Sequence, residues 1–226
     1  MHHYSIVIPV HNELKYIPNL LETLKTYSNN NHEIIIIDDG SNDGSTNILK
    51  KYKFLKLITY KNNKGKGNAI KKGLEVSGYE RIVIFDGDME LHPSDISKLM
   101  ILDREKNIHS VFGYRFTNLN PIRSSLHWGN FIFTTFFNLT HMSCHKDILC
   151  CAKSFFKKDL IGQRIQSNGF DIDVELASIL TIKHKYSKIH QVLLHYKRRS
   201  ILEGKKLKIS DGWIILRRMI SLRKII

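Results

Sequence analysis

The chain has 226 residues, enough for a sizeable core in one domain, and 42% hydrophobic with 25% charged residues excludes a disordered polymer. Lys plus Arg outnumber Asp plus Glu by 35 to 21, a formal charge of +14, which predicts an anionic partner: nucleic acid, an anionic membrane surface or phosphorylated substrates. No apolar run approaches a bilayer span, Met1 to Tyr4 lacks the regions of a signal peptide, and three cysteines make a poor disulfide framework, so a cytoplasmic protein is expected.

In chain order, Ser5 to Val10 is an apolar run of strand type that ends in the polar turn His11 to Glu13. Ile17, Leu20, Leu21 and Leu24 then recur at helical spacing between Leu14 and Tyr27. Glu33 to Ile37 reads as a second buried strand, closed by the polar run Asp38 to Ser45. A helix from Thr46 to about Tyr52, a strand Leu55 to Tyr60 and a helix from Lys64 to about Ser77 follow. Arg81 to Phe85 is the fourth strand. Strands alternating with helices predict a parallel sheet covered on both faces, with ligands at the carboxyl ends of the strands. Pro9 to Glu13, Asp38 to Asp43 and Asp86 to Glu90 all fall at such ends.

The last of these clusters carries the chemistry. If the segment is extended, alternation puts Asp86, Asp88 and Glu90 on one side, where three carboxylates repel unless a cation lies between them. Oxygen ligands suit Mg²⁺ or Mn²⁺, which keep positions open for phosphates; the alternative is a solvated acidic turn. Gly65-Lys66-Gly67 has two readings, a phosphate-approaching helix start and a flexible turn. His141, Cys144, His145, Cys150 and Cys151 match no closed zinc-site spacing, so semi-buried cysteines are expected there.

The chain resembles family 2 glycosyltransferases of the GT-A fold, in the branch of dolichyl-phosphate mannosyl- and glucosyltransferases and their polyprenyl-phosphate relatives. The matching segments are Ser5 to Glu13, Ile36 to Ser45, Lys64 to Ala69, Phe85 to Glu90, Gly113 to Arg115, Asp147 to Phe155 and Gly169 to Asp173. Tyr196 to Ser200, Glu203 to Lys206 and Asp211-Gly212 complete them, and this ending is the most specific to the lipid-phosphate branch. The resemblance implies a single α/β domain over 1–226, with a Rossmann-like nucleotide-binding fold, a mostly parallel central sheet and helices on both faces. Residues 1–115 would be the nucleotide-sugar half and 116–226 the acceptor half.

By the same resemblance, Pro9, Val10, Glu13 and Asp39 would hold the nucleotide, Lys66 would lie near it, and Asp86 would help hold nucleotide or sugar. Asp88 and Glu90 would bind the Mg²⁺ or Mn²⁺ that bridges the diphosphate. Arg115, Arg123 and one of Arg198 and Arg199 would face the acceptor phosphate; Asp88, Arg115 and Arg199 are thus the expected catalytic residues. The implied reaction is metal-dependent, inverting transfer of a hexose from a GDP-mannose or UDP-glucose type donor to a polyprenyl phosphate, which is already ionised and needs no protein base. Leu149 and Ala152 depart from the family pattern, where many relatives carry an acidic and an aromatic residue. A saccharide acceptor, or a catalytically silent sugar-nucleotide-binding or scaffold subunit, are the alternatives. A nucleic-acid binder would explain the charge but not three acidic clusters, so no nucleic acid is expected.

The C-terminal half holds aromatic residues from Trp128 to Phe137, then a terminal segment from Trp213 to Ile226. Ile215, Leu216, Met219, Leu222 and Ile226 form one helical stripe, with Arg217, Arg218, Ser221 and Lys224 opposite. That pattern fits a membrane-surface helix; without the family context, a terminal helix packed on the core with a solvated basic face is favoured. The protein is expected at the cytoplasmic face of a membrane, as a peripheral protein or through a membrane-anchored partner subunit.

Overall fold

The structure is a computed structural model and describes residues 2–116, 125–184, 188–199 and 209–222. Seven strands form one sheet: β1 (Tyr4–Val10), β2 (Glu33–Asp38), β3 (Leu55–Thr59), β4 (Arg81–Ile84), β5 (Ser110–Tyr114), β6 (Lys153–Phe156) and β7 (Ile189–Leu193). Their spatial order is β3-β2-β1-β4-β6-β5-β7. β6 runs antiparallel to both of its neighbours, and every other pairing is parallel. The order reverses between β1 and β4, and the crevice beyond the carboxyl ends at such a reversal is where open α/β sheets bind ligands.

Continuous apolar strands need cover on both faces, and the alternation of side chains divides them. Ile6, Ile8, Ile34, Ile36, Val83 and Phe85 face one layer, where α1 (Ile17–Asn29) contributes Ile17, Leu20, Leu21 and Leu24. Val7, Ile35, Ile37, Ile82 and Ile84 face the other, against α3 (Lys66–Val76), α6 (Ile172–His184) and α7 (Ile209–Leu222). Ile34 to Ile37 are almost wholly buried, worth about 1.5–3 kcal/mol for each side chain.

Element boundaries differ from expectation where local chemistry intervenes. α1 starts at Ile17 rather than Leu14, because the Glu13 carbonyl accepts the N–H groups of both Tyr16 and Ile17 in a preceding turn, and Pro18 suits a first helical turn. α2 is a short helix, Ser45–Leu49. The aromatic segment forms α5 (Ser125–His141), which packs with α6 and α7; α4 is the single turn Ile96–Leu99. Among the described residues no helix is long and apolar enough to cross a membrane.

Candidate active site

Beyond the ends of β1, β2 and β4 lies a cavity of about 730 Å³, walled on its far side by residues of α5 and α7. Pro9, Val10, Glu13, Asp39 and Lys66 line it from the first half of the chain, together with Asp86, Asp88 and Glu90. Arg115, Phe116, Phe133, Leu149, Asp173, Tyr196, Arg199 and Ile215 line it from the other side. The three strand-end clusters therefore meet in one place.

The carboxylates converge by a different geometry from the expected alternation. Asp86 to Glu90 is a turn, not an extended segment, and Met89 adopts a positive φ of 60°. The Glu90 N–H donates to Asp88 Oδ1 at 3.0 Å and closes that turn. Burial pushes the Asp88 carboxyl above the usual range; Arg199 opposes this, while Glu90 and Glu13 add to it. Two hard oxygen donors in a site that resists further negative charge fit a divalent cation whose remaining ligands are phosphate oxygens and water. Among the described residues no group of three or more His, Cys, Asp or Glu is disposed to hold a metal. The same finding covers His141, Cys144, His145, Cys150 and Cys151; the cysteines are in no disulfide, with Cys150 and Cys151 buried and Cys144 exposed.

Lys66 is held by side chains on both sides. Its Nζ lies 3.0 Å from Asp86 and 2.9 Å from Asp173. Burial opposes its charge, but Asp173 and Asp86 outweigh that and hold its pKa well above the usual lysine value. Asp173, at the start of α6, is a site residue that sequence reasoning quoted only as part of Gly169 to Asp173. Its spacing from Lys66 gives no sign of contact; only the fold joins them. The glycines beside Lys66 serve close packing rather than a phosphate cradle. The Lys64 and Gly65 N–H groups donate to Asp39 at 2.7 and 2.8 Å, and the Gly67 N–H donates to the Asn168 carbonyl at 2.8 Å. A Cβ on Gly67 would stand 2.5 Å from the Ser167 carbonyl oxygen, a contact no side chain tolerates.

The arginines part company. Arg115 forms a fork on buried Asp147, Nε to Oδ2 at 2.7 Å and Nη2 to Oδ1 at 2.9 Å, beneath the rings of Phe116 and Tyr196. Burial opposes its charge, and Asp147 more than compensates. Arg198 is exposed and lies outside the cavity lining, whereas Arg199 is buried within it. Within that lining Arg199 is paired with carboxylates: Nη1 donates to Glu13 Oε2 at 2.7 Å, and Nη2 to Glu13 Oε1 at 3.2 Å and Asp88 Oδ2 at 3.3 Å. Arg123 lies outside the described residues, as do Glu203 to Lys206. Tyr196, also missed as a site residue, has its hydroxyl pKa pushed up to about 12 by burial and by Glu90.

On α7 the expected stripe is buried at Ile215, Met219 and Leu222, while Leu216 is half-buried and Ile226 lies outside the described residues. Arg218 is not a solvated cation: its Nε donates to Asp171 Oδ2 at 3.1 Å and its Nη1 to Gln166 Oε1 at 3.0 Å.

Comparison with known proteins places the chain in a family. The model of glycosyl transferase family 2 matches residues 5–163, and the chain belongs to that family. It is 29% identical to an uncharacterized protein of Methanocaldococcus jannaschii over 79% of this chain and 77% of that one. It is 32% identical to human dolichyl-phosphate beta-glucosyltransferase over 42% of this chain and 34% of that one. An undecaprenyl-phosphate 4-deoxy-4-formamido-L-arabinose transferase of Aeromonas hydrophila is 34% identical over 42% and 32%. These two matches span only about a third of the length of those enzymes. Among solved structures, glucosyl-3-phosphoglycerate synthase of Mycobacterium tuberculosis with Mn²⁺, uridine diphosphate and phosphoglyceric acid superposes with a TM-score of 0.77 at 15% identity, over 98% of this chain and 78% of that one. The fold is thus of the GT-A type, and the protein is a family 2 glycosyltransferase.

Proposed function

We propose that this glycosyltransferase moves a hexose from a nucleotide diphosphate sugar to a polyprenyl phosphate, with inversion, at a membrane surface. The observation that carries the reading is the mixed character of the cavity. It is lined by carboxylates, from Glu13, Asp86, Asp88 and Glu90, and by apolar side chains, from Phe116, Phe133, Leu149 and Ile215, together with Arg115. An acceptor with an anionic head and an isoprenoid tail matches such a lining. The names of the human and Aeromonas relatives support the same acceptor class.

In the reaction, an acceptor phosphate oxygen attacks the anomeric carbon as the bond from that carbon to the diphosphate breaks on the opposite face. A cation held by Asp88 and Glu90 would neutralise charge on the departing diphosphate. Pro9, Val10, Glu13 and Asp39 would position the nucleotide, and Asp86, oriented by Lys66, the nucleotide or sugar. Arg115, fixed by Asp147 through Nε and Nη2, would attract the acceptor phosphate through its permanent charge and its remaining N–H groups. Residues 1–115 would then carry mostly donor contacts and 116–226 mostly acceptor contacts, although Asp173 and Arg199 cross over to the donor residues.

The apolar surface of α5 and α7 supports the membrane part of the proposal. Trp128 and Ile132 on α5 and Trp213, Ile214 and Ile220 on α7 are each about half exposed or more, with Arg217 beside them. A transfer assay with UDP- and GDP-sugars, pairing a short-chain polyprenyl phosphate against phosphoglycerate, tests the acceptor class. Product on the polyprenyl phosphate in the presence of Mn²⁺ or Mg²⁺ is expected. Transfer to phosphoglycerate alone would instead favour a small phosphorylated acceptor, and no transfer to either would favour a silent subunit.

A further inference from the structure

One residue draws on every carboxylate that a bridging cation would need. Besides its fork on Glu13 and its contact with Asp88, Arg199 donates its backbone N–H to Glu90 Oε1 at 3.1 Å. It is buried and comes from the segment after β7, 186 positions from Glu13 in the chain. A fork that bonds one carboxylate with both terminal nitrogens while touching a second is held by geometry as well as charge. A divalent cation on Asp88 would compete with the guanidinium for the same carboxylate, and two positive groups so close would repel.

We propose that Arg199 is an internal counter-cation that gates the donor site: loading of cation and diphosphate displaces its guanidinium from Asp88, while the fork on Glu13 keeps it in the site. The gate rests on the glycosyl-transfer reading above. A cation arriving alone must displace a paired guanidinium and leave it facing a new positive charge. A cation arriving with a nucleoside diphosphate brings anionic oxygens that can receive the guanidinium. Cation and nucleotide therefore bind with positive coupling, each raising the affinity of the other by the same factor.

The test measures Mn²⁺ binding by the paramagnetic signal of the free ion, without nucleotide and with UDP or GDP. Arg199→Ala is expected to bind Mn²⁺ alone about tenfold or more tightly than the unaltered protein, with a smaller further gain from nucleotide. Arg199→Lys, which keeps the charge but not the fork, is expected to fall between them, and serves if Arg199→Ala does not fold by circular dichroism. Arg198→Ala removes the same charge one residue away on the exposed side and should leave Mn²⁺ affinity within about twofold. Equal or weaker Mn²⁺ binding by the Arg199 variants overturns the gate, as does an equal gain in Arg198→Ala, which would reduce the effect to bulk charge. If no protein in the set binds Mn²⁺ even with UDP or GDP, the metal-dependent reading itself fails and the gate with it. The two failures are therefore distinguishable.

Discussion

Asp88 is where the loss of one oxygen matters most. It shares Arg199 with Glu13, holds the turn through the Glu90 N–H, and faces the cavity. Asp88→Asn keeps the shape and removes the charge, so the protein should remain folded by circular dichroism while kcat falls about 100-fold or more. Full activity of the Asp88→Asn protein, or full activity in EDTA, would remove the cation from the reading. A second prediction concerns His145, buried against Phe112 and hydrogen-bonded to Thr181. Burial first, then Lys153 and His141, lower its pKa from 6.5 to about 3. In that interval the unfolded chain binds a proton that the folded chain refuses, so stability is intact above about pH 6.5 and falls as pH drops toward 3. The slope for one proton is about 1.4 kcal/mol per pH unit. Chemical unfolding of His145→Gln should show a shallower acid limb than the unaltered protein, and parallel acid limbs would refute the assignment.

At the scale of elements, α7 does two jobs that one residue separates. Its buried stripe packs on the core, and Asp211, Gly212 and Ile215 line the cavity, so the helix must be seated for the site to form. Arg218 ties it to Asp171, just before α6 begins, and to Gln166. Arg218→Gln removes the cationic partner of buried Asp171, which among the described residues keeps only the Gly169 N–H on Oδ1, and should cost about 1–3 kcal/mol in urea unfolding. It should also lower activity on a short soluble acceptor, unlike a change that only weakens membrane binding. Arg217 is the exposed basic residue of α7 available to a lipid surface among those described; Arg223 and Lys224 lie outside them.

On the scale of the whole molecule, the exposed apolar side chains Trp128, Ile132, Trp213, Ile214 and Ile220 lie on α5 and α7, the helices that also contribute Phe133 and Ile215 to the cavity. Trp213 and Ile214 are exposed and line no part of the cavity, so replacing both with Ser should spare transfer to a short acceptor within about twofold. Binding to anionic vesicles should fall about tenfold or more, because two half-inserted apolar side chains contribute on the order of 2 kcal/mol together. Co-sedimentation with the vesicles would report the loss. Unchanged vesicle binding would move the contact to α5 or to a partner.

The sequence by itself determined the apolar runs of β1, β2 and β4, their alternation with helices, and the strand-end placement of Glu13, Asp39, Asp86 and Asp88. These are local consequences of chain periodicity, and a parallel sheet has few other ways to bury continuous Ile and Val. It also held the family likeness, because short motifs survive where a site constrains them. Tertiary structure alone decided who pairs with whom. Lys66 meets Asp173 107 positions away, and Arg199 meets Glu13 186 positions away. It also turned Arg218 from a surface cation into an anchor, and gave the Gly65 and Gly67 turn to close packing with residues 167 and 168. Ion pairs across such separations leave no periodicity to read, since their geometry exists only after the sheet has brought the strand ends together.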